Sequence, residues 1–104
     1  MRPFNQLDCA AAERLAVLAE EAGEVVQAVT KILRHGYDRV HPVSRIPNRV
    51  SLEKELGDFL VAMGMLVTTH DVSEESILKY AALKGKEKGK YLHHNRPKSC
   101  LEEI

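Results

Sequence analysis

Residues 18–31 read LAEEAGEVVQAVTK and residues 52–63 read LEKELGDFLVAM, and these two stretches decide the fold. Around the first, apolar side chains recur at Leu15, Leu18, Ala22, Val25, Val29 and Ile32, in alternating steps of three and four. That is the period of an α-helix with one buried stripe. Asp8 is a good N-cap and Gly36, just past Arg34 and His35, a good stop. A helix is therefore predicted from Asp8 to Arg34, with a break left open somewhere in residues 9–13. The second stretch predicts a helix from Leu52 to about His70, capped by Ser51. Its main apolar face is Leu52, Leu56, Phe59, Leu60, Met63 and Val67, while Val61 and Met65 lie nearly opposite. A helix apolar on two sides must be covered on two sides, which predicts a central place in a bundle shared with a second subunit.

Working outward, residues 36–50 (GYDRVHPVSRIPNRV) carry a glycine and two prolines with no sustained period, and predict a long loop. After the turn at residues 71–73, Ser73 with Glu75 and Ser76 starts a third helix, through Ile77, Leu78, Ala81 and Leu83 towards Tyr91. Gly85 and Gly89 weaken its second half. Residues 93–104 predict a tail following a single domain of residues 1–92. No strand pattern and no repeat is present. The fold class is all-α, a bundle of three to four helices per chain completed by homo-oligomerisation.

The 104 residues include 15 Lys plus Arg and 15 Asp plus Glu, so the formal charge is zero and a generally basic nucleic-acid binder is not expected. Apolar residues, at 44%, suit a globular chain rather than a disordered one. No run approaches a membrane span, and the N-terminus lacks the layout of a secretion signal. Cys9 and Cys100 have no metal-site spacing, so two free thiols and a cytoplasmic location are expected. The neutral total hides polarity: residues 1–24 are net −3 and residues 79–98 net +6.

The acids are the informative part. Glu20, Glu21 and Glu24 lie on the first helix, and Glu55 and Asp58 on the second. Members of the pairs Glu21/Glu24 and Glu55/Asp58 are three residues apart, so each pair shares a helix face one turn apart. Glu21 flanks the Leu18/Val25 stripe, and Glu55 sits among Phe59, Ala62 and Leu66. Antiparallel packing through those seams would bring four carboxylates together, an arrangement that calls for a cation. All-carboxylate ligation suits Mg²⁺, with Mn²⁺ as a substitute, and not zinc. The alternative is a solvated acidic face. Lysines of residues 79–98, and Lys31 seven residues beyond Glu24, are candidates for phosphate oxygens; Lys31 is otherwise a surface lysine. Phe4, Tyr37 and Tyr80 are candidates to stack on a base or simply to pack.

With its flanking sequences, the pattern Glu20-Glu21-x-x-Glu24, then Glu55-x-x-Asp58 after 30 residues, resembles the MazG-like all-α nucleoside triphosphate pyrophosphohydrolases over residues 12–92. The resemblance implies that Glu21, Glu24, Glu55 and Asp58 ligate Mg²⁺ and that Glu20 is a further ligand or orients the attacking water. It implies hydrolysis of a (deoxy)nucleoside triphosphate to monophosphate and pyrophosphate, by a homodimer or homotetramer. Relatives often carry Lys-Asn in the C-terminal segment. Here the stretch runs Lys84-Gly85-Lys86-Glu87-Lys88, with no Asn, and Lys84 and Lys88 are the phosphate candidates. A phosphoribosyl-ATP enzyme, a dUTP/dCTP-specific one, a non-catalytic nucleotide-binding or dimerisation module, and a basic-tailed binder of nucleic acid or protein are the competing functions. All five motif acids are present, which favours catalysis.

Overall fold

The computed structural model describes residues 4–90 and 92–95. Among them are three helices, α1 (Cys9–His35), α2 (Asn48–Thr68) and α3 (Glu74–Lys88), and no strand, only an isolated bridge between Val40 and Pro47. The all-α class holds. Contacts divide the chain into two compact units, residues 1–71 and 72–104.

In the first unit, α1 starts and stops on the residues that local chemistry favours. The Asp8 carboxylate accepts from the Ala11 N–H at 2.7 Å, and Gly36 takes the left-handed backbone (φ 85°) while donating to the Ile32 carbonyl. The helix is continuous through residues 9–13, with no break there.

The start of α2 corrects the sequence reading. Ser51 is not its cap: the helix begins at Asn48 after Pro47, and the Ser51 N–H already donates to the Pro47 carbonyl. Pro47 holds φ at −64° in extended backbone and offers no side-chain acceptor. The unsatisfied donors of the first turn go instead to loop carbonyls, Asn48 N–H to Arg39 at 2.9 Å and Arg49 N–H to Tyr37 at 2.8 Å. Asn48 is buried, and its side-chain amide donates to the Gly36 carbonyl at 3.0 Å, tying the end of α1 to the start of α2. The loop of residues 36–47 between them is internally bonded. His41 Nδ1 accepts the N–H groups of Val43 and Ser44, its N–H donates to Ile46, and its carbonyl accepts from Arg45.

At the far end α2 closes with a left-handed His70 (φ 63°), whose N–H donates to the Val67 carbonyl while Asp71 N–H donates to Leu66. This pairing is the Schellman arrangement. It presents the Asp71 carboxylate to Arg14 near the start of α1, in a two-pronged pair of 2.6 and 3.0 Å. The two helices are therefore antiparallel, joined through the loop at one end and the Arg14–Asp71 pair at the other. The hydrogen bond from Arg14 holds the Asp71 carboxyl below its ordinary 3.8. A depressed carboxyl stabilises the fold above its unfolded value, and that contribution is lost as pH falls through the folded value. Asp71→Asn is accordingly expected to lower the Tm by a few degrees at pH 7, with the gap to the parent narrowing as pH falls below the ordinary carboxylate range, as read from thermal melts across pH. A gap independent of pH would assign Asp71 a role other than this ion pair.

The packed line follows one edge of the stripes that the apolar residues mark: Leu18, Ala22, Val25 and Ile32 of α1 and Leu52, Phe59, Met63 and Val67 of α2 are half-buried. The buried positions are Ala28 on α1 and Asn48, Ala62 and Leu66 on α2, with Glu21, Glu55 and Phe59 half-buried beside them. Leu56 and Leu60, expected on the main apolar face, are 43% and 62% exposed. Ala28 and Ala62 suit the middle of this line because small side chains let two helix backbones approach closely, and Leu66 fills it towards the end of α2. Leu15, Val26, Val29 and Leu33 of α1 are likewise exposed. At about 100° per residue, these stripes lie to one rotational side of the packed line on each helix. Because the helices run antiparallel, they lie on the same side of the hairpin. Gly57, beside Asp58, faces open space, so it serves no close approach among the described residues.

In the second unit, Ser73 caps α3 as expected, accepting from the Ser76 N–H at 3.2 Å. Glu74 and Glu75 in the first turn and Lys86 and Lys88 in the last suit the helix dipole. Gly85 does not interrupt the helix, which ends at Lys88. Tyr91, Cys100 and the rest of residues 96–104 lie outside the described residues. No helix of the described residues is long and apolar enough to cross a membrane.

Candidate metal centre

One oxygen from each of Glu21, Glu24 and Glu55 lies within 4.8 Å of the others. The cause is simple: the first two sit one turn apart on α1, and antiparallel packing through Ala28 and Ala62 lays Glu55 of α2 against them. Oε2 of both Glu21 and Glu55 is buried and has no hydrogen-bond partner. A buried carboxylate oxygen without a donor is costly, and a close like charge adds to the cost.

The electrostatics follow from this crowding. Burial pushes the Glu21 carboxyl above its ordinary range, with Asp58, Glu24 and Glu20 adding to the rise and Lys54 opposing it. Burial likewise raises Glu55, helped by a hydrogen bond and charge repulsion from Glu24 and by the charge of Asp58, again against Lys54. A cation at the meeting point would satisfy both orphaned oxygens and relieve the repulsion. Three to five carboxylates with no sulfur or imidazole form a hard oxygen donor set, so the residues present fit Mg²⁺ or Mn²⁺.

The other expected residues divide. Asp58 stands outside the close trio, yet its charge is felt by both Glu21 and Glu55. Glu20 is exposed and acts on Glu21 through its charge. Lys31 lines a 130 Å³ cleft together with Glu24, Glu55 and Asn48. Lys84 and Lys88 are exposed on α3, in the second unit. Of the aromatic candidates, Phe4 and Tyr80 are exposed, and Tyr37 is covered on one face by the Arg49 guanidinium, 4.5 Å from the ring centre. None of the three packs in a core.

Sequence reasoning missed a second, larger cleft. It holds 510 Å³ between the last turns of α1 and the loop, and Arg34 and Arg39 line it along with Lys31. A signal for it was present in part. Glu20, Glu24, Gln27, Lys31 and Arg34 fall in steps of four, three, four and three, one line along α1 that passes from acid to base.

A family model for the MazG nucleotide pyrophosphohydrolase domain matches residues 11–91, which is 81 of the 104 positions. The chain belongs to this family. The match takes in both acidic pairs, all of α2 and α3 and all but the first two residues of α1, and it carries nucleotide pyrophosphohydrolase activity in general. The family is generally metal-dependent, in keeping with the carboxylate trio. No curated protein and no solved structure matches the chain.

Proposed function

We propose that the protein hydrolyses a (deoxy)nucleoside triphosphate to the monophosphate and pyrophosphate in a Mg²⁺-dependent reaction, with Mn²⁺ able to substitute. The observation that carries this reading is the convergence of Glu21, Glu24 and Glu55 with two buried oxygens left unpartnered. Glu21, Glu24, Glu55 and Asp58 would hold the metal. When bound, the cation would neutralise charge on the phosphate oxygens and lower the pKa of bound water.

The chain's own residues would do the rest. Glu20, exposed at the edge of the trio, would orient the attacking water and accept its proton. The water oxygen bonds to the α-phosphorus as the bond from that phosphorus to the bridging oxygen breaks, and pyrophosphate leaves with the bond's electron pair. Lys31 would hold phosphate oxygens, and Lys84 and Lys88 are the further candidates for this role. The exposed apolar stripes of α1 and α2 support a homodimer or homotetramer. Both stripes lie on one side of the hairpin, so a partner could cover them together. A cytoplasmic location completes the reading.

The test is product analysis with each common NTP and dNTP, in Mg²⁺ and in EDTA. Monophosphate plus pyrophosphate in Mg²⁺ alone is the expected result, and the panel ranks the bases. Silence across the panel from folded protein, extended to phosphoribosyl-ATP, would sink the proposal.

A further inference from the structure

We propose that the 510 Å³ cleft between the last turns of α1 and the loop of residues 36–47 is an anion subsite, in which Lys31, Arg34 and Arg39 hold the terminal diphosphate of the substrate. This rests on the carboxylate trio being a nucleotide-hydrolysing centre.

Charge is the first support. The cleft is lined by these three cations and by His35 and His41, and by no carboxylate. Among the described residues the ion pairs are Arg14–Asp71 and Arg49–Asp38, so none of the three cations is neutralised by an acid. The contrast with Arg49 is informative: it belongs to the same region, but Asp38 and the Tyr37 ring occupy it. Three like charges around one concavity, without a counter-ion, favour an anionic occupant.

Position is the second. Gln27, Lys31 and Asn48 line both this cleft and the 130 Å³ cleft whose other walls include Glu24 and Glu55. The two spaces therefore adjoin, with Lys31 at the junction, carboxylates on one side and arginines on the other. Helix side chains lean towards the helix N-terminus, so Lys31 and Arg34 lean back towards Glu24. A phosphate chain engaged at the trio would extend along this line, its far end meeting the arginines. Arginine's planar fork suits phosphate oxygens.

Rigidity is the third. The main chain at Arg39 is held in place because its carbonyl accepts from Asn48 N–H, and Asn48 also bonds Gly36. The turn that follows is pinned by His41 Nδ1. The main-chain wall of the cleft is thus fixed before binding, which leaves the cationic side chains as the part to be ordered.

A plainer role exists for Arg34 and His35, which suit the negative end of the α1 dipole. It does not account for Arg39, which lies beyond the helix. Calorimetric titration with inorganic pyrophosphate, on the full chain, separates the two. The Arg34→Gln/Arg39→Gln variant is expected to bind pyrophosphate about 10-fold or more weakly than the parent, with Mn²⁺ affinity unchanged. Arg49→Gln, which removes a cation already held by Asp38 and the Tyr37 ring, should leave pyrophosphate binding within about 2-fold of the parent. Equal pyrophosphate affinity in the parent and the Arg34/Arg39 variant would overturn the proposal, whether or not the variant's Tm falls. So would an equal loss in the Arg49 variant. Failure of the metal reading shows separately, as a parent protein that binds no Mn²⁺ and hydrolyses no nucleotide.

Discussion

Glu55→Gln is expected to lower turnover by about a thousand-fold while leaving the helices folded. The magnitude follows from the metal's part: charge stabilisation of several kcal/mol, at a factor of ten for each 1.36 kcal/mol. The substitution keeps size and shape but removes one of the three oxygens within 4.8 Å of each other. Its effect on the metal-free fold runs the other way. Burial and Glu24 raise the Glu55 carboxyl, so its ionised form is less favoured in the folded chain than in the unfolded one and a neutral amide relieves the repulsion. The metal-free variant should therefore melt at or above the parent's temperature, while Mn²⁺ affinity falls at least about 10-fold. Steady-state kinetics, Mn²⁺ titration and melts on one preparation check all three. Turnover within a few-fold of the parent would remove Glu55 from the metal centre.

The second large effect is thermal. At a cation concentration of about 100 Kd, binding adds about 2.7 kcal/mol to stability. For a chain of this size that corresponds to a Tm rise of about 10 to 20 °C at pH 7 to 8. The pH dependence fixes its origin. Glu21 and Glu55 have folded-state values raised above the ordinary 4.5, so the folded chain binds protons more tightly than the unfolded one. The metal-free protein then loses stability as pH rises through that raised range, the opposite sign to Asp71. Protons compete with the cation below it. The Mg²⁺-induced shift should shrink towards pH 4.5, and Glu21→Gln should reduce it at every pH. A shift of equal size at pH 4.5 and pH 8 would place the cation elsewhere.

How much of this was legible in the sequence depended on how local each determinant was. Asp8, Gly36 and Ser73 act through neighbours three or four residues away, and all three sit where the pattern placed them. The trio was legible for the same reason, since the three-residue spacing of Glu21 and Glu24 fixes a shared face and Glu55 borders the opposing seam. The start of α2 was not, because its first donors are satisfied by the carbonyls of Tyr37 and Arg39 across a loop. The packed line was legible in part: most of both apolar faces is half-buried, but its buried centre was not marked, because apolar size is a poor guide to close approach. Ala28 and Ala62 are buried where leucines at neighbouring positions remain exposed. Arg39 belongs to a loop with no period, and only folding brings it beside Lys31 and Arg34.

The composition of the α1–α2 contact has a consequence for the family's evolution. Two alanines, one leucine and an asparagine are the buried residues, and Glu21 and Glu55 occupy the space where further apolar side chains would otherwise go. Replacing either acid with leucine would bury more hydrocarbon and remove a repulsion, so selection for robustness alone would favour it. Selection for reactivity would reject the same change. The hairpin is thus a place where durability and reactivity trade off residue for residue, and lineages that abandon the chemistry should gain apolar residues at these two positions before any others.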